Sequence, residues 1–128
     1  MNEPYNTPPH IESQLFIFVL EMTGVQVVGS RNLRLYNILD WDLHNHKVAI
    51  SLNTAPTGAT FIVDIHKNGT TLFTVSGNRP MISAAAFYGE TTTINVPTWT
   101  AGQYLQVEVD QIGSMVAGSD LTVHILAS

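Results

Sequence analysis

The stretch from Ala59 to Val75 constrains the fold more than any other part of the sequence. Phe61, Val63 and Ile65 alternate there with Ile62, Asp64 and His66, and Asn68-Gly69 follows before Thr70-Thr71-Leu72-Phe73-Thr74-Val75. Alternation with a period of two puts successive side chains on opposite faces of an extended strand. Asn-Gly supplies the positive φ angles of a type I′ turn, whose twist matches an antiparallel pair. The stretch is therefore predicted to be a β-hairpin that offers one face to a core.

The same pattern recurs later in the chain. Between Gln103 and Gln111, Leu105, Val107 and Val109 share one face, and Tyr104, Gln106, Glu108 and Asp110 the other. After a connection from Gly113 to Gly118, the segment Ser119 to Leu126 points Leu121, Val123 and Ile125 inward and Thr122 and His124 outward. Leu15 to Leu20, Gly24 to Val28, Leu33 to Leu39 and Lys47 to Leu52 also read as strands, with weaker patterns at Pro80 to Tyr88 and Thr91 to Val96. Clusters of Gly, Pro, Asn and Asp separate these runs, and no window has the period of a long amphipathic helix. A chain of 128 residues fits a single core. The predicted fold class is all-β: an antiparallel sandwich of about eight strands in two sheets, jelly-roll-like, over residues 15–128. Residues 1–14 carry three prolines and no periodicity, and are predicted to be an extended N-terminal arm that orders on a partner or a neighbouring protomer.

Composition limits what such a sandwich does. Charged residues make up only 12% of the chain, against roughly 25% in ordinary soluble domains. The surface must then be uncharged and polar, or covered by other subunits. With apolar and Thr positions on outward strand faces, this predicts a homotrimer. The net charge of −5 and the scattered Arg31, Arg34, Lys47, Lys67 and Arg79 argue against nucleic acid, which requires clustered positive charge. Cysteine is absent, so disulfides and thiolate metal sites are excluded. The longest apolar run, Leu15 to Leu20, is much shorter than the ~20 residues of a membrane span. Met1-Asn2-Glu3-Pro4 lacks the charged start and apolar run of a signal peptide, so folding in a cytoplasm is expected.

The candidates for chemistry are few. His44-Asn45-His46 resembles a nuclease motif in name only, without the ββα and metal context that the motif needs. His44 and His46, at i and i+2, have a spacing that suits some zinc sites, or are exposed polar residues of a loop. Asp64, Glu108, Asp110 and Asp120 belong to or border the best-patterned strands. Converging carboxylates perform acid–base chemistry or bind Ca²⁺; the plainer reading has Asp64 and Asp110 bonding turn backbone or pairing with Arg79. Trp41, Tyr88, Trp99 and Tyr104 are either a sugar-stacking platform or core and interface anchors. No nucleophile elbow, phosphate loop or dinucleotide fingerprint is present. The expectation is a non-enzymatic protein with no catalytic residue, cofactor or metal.

Several blocks carry a resemblance. They are Ala55-Pro56-Thr57-Gly58, Val63 to Phe73 with Asp64, Asn68 and Gly69, Asn78-Arg79-Pro80, Ala101-Gly102-Gln103-Tyr104-Leu105, Val109-Asp110-Gln111-Ile112-Gly113, and Gly118-Ser119-Asp120-Leu121-Thr122-Val123. In this order they resemble a β-sandwich domain that recurs in tailed-bacteriophage virion proteins, over about Ala55 to Val123. Asp64, Asn68, Gly69, Arg79, Pro80, Gly102, Asp110, Gly113 and Asp120 form the turn-and-strand motif. The segment Trp41 to Lys47 and the N-terminal arm depart from it. The resemblance implies structural duty as a capsid decoration (cement) protein, head fibre or tail appendage, commonly a trimer of jelly rolls. Its implied partners are copies of itself, the phage major capsid protein and, in the appendage reading, host glycans. Its implied place is the virion surface, after assembly in the host cytoplasm.

Overall fold

The computed structural model describes residues 15–43 and 46–128. The predicted arm at 1–14, together with His44, lies outside the described residues. Eleven strands follow in order: β1 (Phe16–Val25), β2 (Gly29–Tyr36), β3 (Trp41–Asp42), β4 (Val48–Thr54), β5 (Phe61–Lys67), β6 (Thr70–Thr71), β7 (Met81–Ile82), β8 (Tyr88–Thr91), β9 (Thr98–Trp99), β10 (Tyr104–Gln111) and β11 (Ser119–Ala127). A 3₁₀ turn at Ser76–Asn78 precedes β7.

The strands pair antiparallel in two main sheets. One has the order β1-β11-β4-β8; the other runs β2-β10-β5-β6, with β7 also paired to β5. Every connection among β1, β2, β4 and β5 changes sheet, as do those from β7 through β8 and β10 to β11; only β5 to β7 stays within one sheet. Two interleaved Greek keys of this kind are a jelly roll. Eight of the eleven strands take its positions, while β3 and β9 form a small ladder, Trp41 opposite Trp99, at one end.

The alternation read from sequence fills the space between the sheets. Phe61, Val63 and Ile65 on β5, Leu105, Val107 and Val109 on β10, and Leu121, Val123 and Ile125 on β11 are all buried in one cluster with Val48, Ile50 and Leu52 of β4. Asn68 and Gly69 have φ of 50° and 87°, as a type I′ turn requires. Asn68 also donates its backbone N–H to Tyr104 O and accepts the Tyr104 N–H on Oδ1, both at 3.0 Å, which locks the hairpin tip to the start of β10.

Some predicted strands are redrawn. The return strand after Asn68-Gly69 is only Thr70–Thr71, because the chain then leaves the ladder and sends Leu72 and Phe73 into the core. Gly24 to Val28 is not a separate strand: its first two residues end β1, and Gln26 turns inward, fully buried, with its amide donating to Met22 O and Gly24 O. Thr91 to Val96 contains only the last residue of β8, and Pro80 to Tyr88 yields the two-residue β7 and the first residue of β8.

Gly113 sits where three backbones meet. A Cβ there would overlap the Val116 carbonyl oxygen and stand 2.8 Å from both Thr57 N and Thr57 O. Gly113→Ala is expected to lower unfolding free energy by about 2–4 kcal/mol, since only backbone can yield. Gly69→Ala, with open space around it but φ of 87°, should cost about 1 kcal/mol. Urea midpoints of the two variants check the ranking.

Candidate functional site

The acidic set separates into two places. Asp64 projects from the outer side of β5, yet is 2% exposed, because the chain from Thr70 to Arg79 folds over it. Its Oδ1 accepts the Ile65 N–H at 2.8 Å and the Thr71 hydroxyl at 2.6 Å. Its Oδ2 faces His66 Nε2 at 3.1 Å and Arg79 Nη2 at 3.4 Å. The same guanidinium donates from Nη1 to Asp110 Oδ2 at 2.8 Å and from Nη2 to Phe73 O at 3.4 Å. Arg79 thus ties β5, β10 and the overlying loop together. Glu108 lies directly across from Asp64 on β10 and accepts a hydrogen bond from Ser30, so each carboxylate is already engaged by protein groups.

Asp120 is elsewhere, in the left-handed region at φ 60°, and accepts the Gly24 N–H at 2.7 Å across the β1 bulge. Pro80 is buried and its carbonyl receives the Val63 N–H at 3.1 Å. Gly102 turns the chain at φ 88° and donates to Asn37 O at 2.8 Å. Of the nine motif residues, Asp64, Arg79 and Asp110 meet in one ion-pair chain, and the others shape turns and strand crossings at separate points. His46 bonds Ser128 Oγ at 2.8 Å. Among the described residues, no three His, Asp or Glu side chains are grouped to hold a metal ion.

The four aromatics do not form one platform. Trp99 is fully buried, edge-on to Phe18 at 5.2 Å, with its indole N–H on Gln103 O. Trp41 packs edge-on against Phe16 and Phe18 at 4.7 and 5.5 Å. Tyr88 is exposed on the outer face of the β1-β11-β4-β8 sheet. There its hydroxyl bonds Glu90 at 2.6 Å and Lys47 meets the same carboxylate at 3.0 Å. The Tyr88 hydrogen bond, then Lys47, hold Glu90 below the usual carboxylate range, and the same bond raises the Tyr88 phenol. Tyr104 is half-buried on the other sheet, 5.3 Å from Tyr36, with the Arg34 guanidinium 4.2 Å above its ring.

The feature that sequence reasoning missed is the loop end of the sandwich. The connections 26–28, 55–60, 83–87 and 112–118 are brought together there by backbone bonds: Gln26 N to Gly118 O, Ala85 N to Pro56 O, Thr57 N to Val116 O and Met115 N to Thr57 O, all 2.7–3.0 Å. These four segments contain no charged residue. Met115, 82% exposed, and Val25, 69%, stand out with Val27, Val28, Phe87 and Val116 also exposed. An uncharged, backbone-braced end bearing large apolar side chains has the composition of an interface core. Hydrogen bonding fixes the loops in advance, which reduces the entropy lost on docking.

No protein-family model matches the chain, and no curated protein matches it.

The ion-pair chain gives a graded test. Arg79→Ala leaves the buried Asp64 with a weaker set of donors and should cost about 2–4 kcal/mol. Asp110→Ala removes a more exposed partner and should cost under about 1 kcal/mol. Chemical denaturation of both variants checks the order.

Proposed function

We propose that this chain is a phage capsid decoration protein, a homotrimer that sits on the outer surface of the major capsid shell and stabilises it. The observation that carries the proposal is the apolar, charge-free loop end. It offers a preformed docking surface on a jelly roll whose Asp64, Glu108, Asp110 and Asp120 are engaged in structural bonds. The sequence blocks that resemble virion domains supply the partner class. Four of them (Ala55 to Gly58, Val63 to Phe73, Val109 to Gly113 and Gly118 to Val123) build this end or the strands that carry it.

A shell packed with nucleic acid fails where neighbouring subunits part. A trimer that grips several subunits adds buried apolar area against that separation, and linked weak contacts sum to strong attachment. Each apolar side chain transferred from water contributes roughly 1.5–3 kcal/mol. The working location is then the capsid surface, after assembly in the host cytoplasm.

A second reading, a head-fibre or tail-appendage domain adhering to host glycans, draws on a different observation. Tyr36 and Tyr104, with Arg34 stacked on the latter, give an exposed aromatic and hydrogen-bonding surface on the outer side of β2 and β10. Trp99 has no part in it, being buried.

Purified protein mixed with undecorated shells is expected to bind them and raise their resistance to heat. Met115→Asp and Phe87→Asp should weaken binding about 10–100-fold, since each 1.4 kcal/mol is tenfold, with the circular dichroism spectrum unchanged. Absence of binding and of heat protection by the wild type overturns the cement role. Glycan-array binding that disappears in Tyr36→Ala would favour the second reading.

A further inference from the structure

We propose that β1 is an exchangeable strand: copies of this chain trade it, so that the β1 of one copy takes the seat beside β11 of another. The inference depends neither on the cement role nor on its copy number.

β1 is the first of the described strands, so one connection, residues 26–28, ties it to the rest of the described sandwich. From Phe16 to Met22 it pairs without interruption with Ala127 to Leu121, and among the described residues it pairs with no other strand. Its other holds lie in the same seat. Gly24 donates to Asp120 Oδ1 at 2.7 Å, Phe16 and Phe18 stand edge-on to Trp41, and Phe18 also meets Trp99. Within the strand only Leu20 and Met22 are buried. All of these contacts are kept when a second copy supplies the strand, because the incoming sequence is identical to the one it replaces. The seat therefore names its own occupant, and a completed exchange leaves no seat empty.

The connection decides between keeping the strand and trading it. The closed form must pass from the end of β1 to the start of β2, in the facing sheet, through residues 26–28 alone. Packed sheets stand ~10 Å apart. A short hinge under strain favours exchange, since straightening it removes the turn.

Two observations show what the turn costs here. Gln26 is fully buried and its side-chain amide donates to Met22 O and Gly24 O, while its Oε1, also buried, meets no protein donor among the described residues. A buried acceptor without a donor has lost its hydrogen bond to water, and a straightened hinge restores it. Val25, Val27 and Val28 are exposed around the bend, which is flanked by Gly24 and Gly29 at φ 90° and 129°. Valine favours extended backbone, so this segment has the composition of a strand folded into a turn. In a reciprocal pair the two straightened hinges run side by side, and their valines cover one another.

The chain has no cysteine, so an introduced disulfide can mark which copy's strand fills the seat. Val19 and His124 face each other in register on the outer side of the β1–β11 pair, within disulfide reach for opposed residues of an antiparallel ladder. Val19→Cys/His124→Cys is refolded from denaturant at several protein concentrations, oxidised once native, and separated under denaturing, non-reducing conditions. Cross-links between chains are expected, as a two-chain product for a reciprocal pair or a three-chain product for a closed ring. For the pair, while single chains predominate, the ratio of interchain to intrachain product should rise about tenfold for each tenfold rise in concentration. A Gly-Ser-Gly insertion between Val27 and Val28 relaxes the turn and should shift the product to single-chain cross-links. Single-chain cross-links at every concentration overturn the exchange. Native oligomers whose cross-links all lie within one chain also overturn it, since another surface then joins them. Interchain product undiminished by the insertion overturns the part assigned to the hinge. Ile17→Cys/Leu126→Cys, a second facing pair on the same side, decides the matter if the first double variant misfolds. Shell binding by the wild type is measured separately, so failure of the exchange is distinguishable from failure of the cement role.

Discussion

A carboxylate almost without contact with water stands on the outer side of a sheet, and much of the molecule is arranged to keep it satisfied. Asp64 would be an ordinary solvent-facing residue if the hairpin of β5 continued past Thr71. Instead the chain bends back over it, and Thr71, His66 and Arg79 converge on its two oxygens. That bend sends Leu72 and Phe73 into the core and brings Pro80 to the Val63 N–H and Met81–Ile82 alongside Phe61 and Ile62. The fourth position of the second sheet is thus filled by β7, the short strand that follows this bend and pairs with β5. Removing one partner of such a group costs more than the intact pair contributes, which makes the arrangement specific to one chain path.

The proposed docking surface and the proposed exchange share one segment. The loop end is at the tip of the sandwich where β1, β4, β7 and β10 finish, and the connection 26–28 that straightens on exchange is one of its four loops. A molecule that trades β1 therefore reshapes the surface it offers to a different partner, which couples self-association to docking.

How much of this was legible in the sequence depended on the range of the interactions. The strands β5, β10 and β11 were plain, because strict alternation of Val, Ile and Leu with polar residues is a local signal, as is the Asn68-Gly69 turn. The early end of the hairpin return was not, since Thr70 to Val75 has good strand propensity and only the distant Arg79 and Asp110 explain why it leaves the ladder. For Trp41 and Trp99 the sequence left open a sugar-stacking platform or core and interface anchors; pairing across β3 and β9, with Phe18 between them, buries Trp99 fully and Trp41 in part. The loop end was illegible for a similar reason. Each of its four segments looks like an ordinary turn, and only the jelly-roll winding brings Val27, Phe87 and Met115 to one tip.

The winding also determines the order in which the protein can complete itself. Phe16 pairs with Ala127, so among the described residues the first strand has its only partner in the last. As the chain leaves the ribosome, Phe16 to Met22 must stay unpaired until almost the whole sequence has emerged. This largely apolar strand, with Glu21 as its one charge, is thereby exposed during the slowest stage of a fold dominated by non-local contacts, when intermolecular pairing competes with closure. For such a topology, the rate at which β11 arrives governs the yield of native protein, independently of how stable the closed sandwich is.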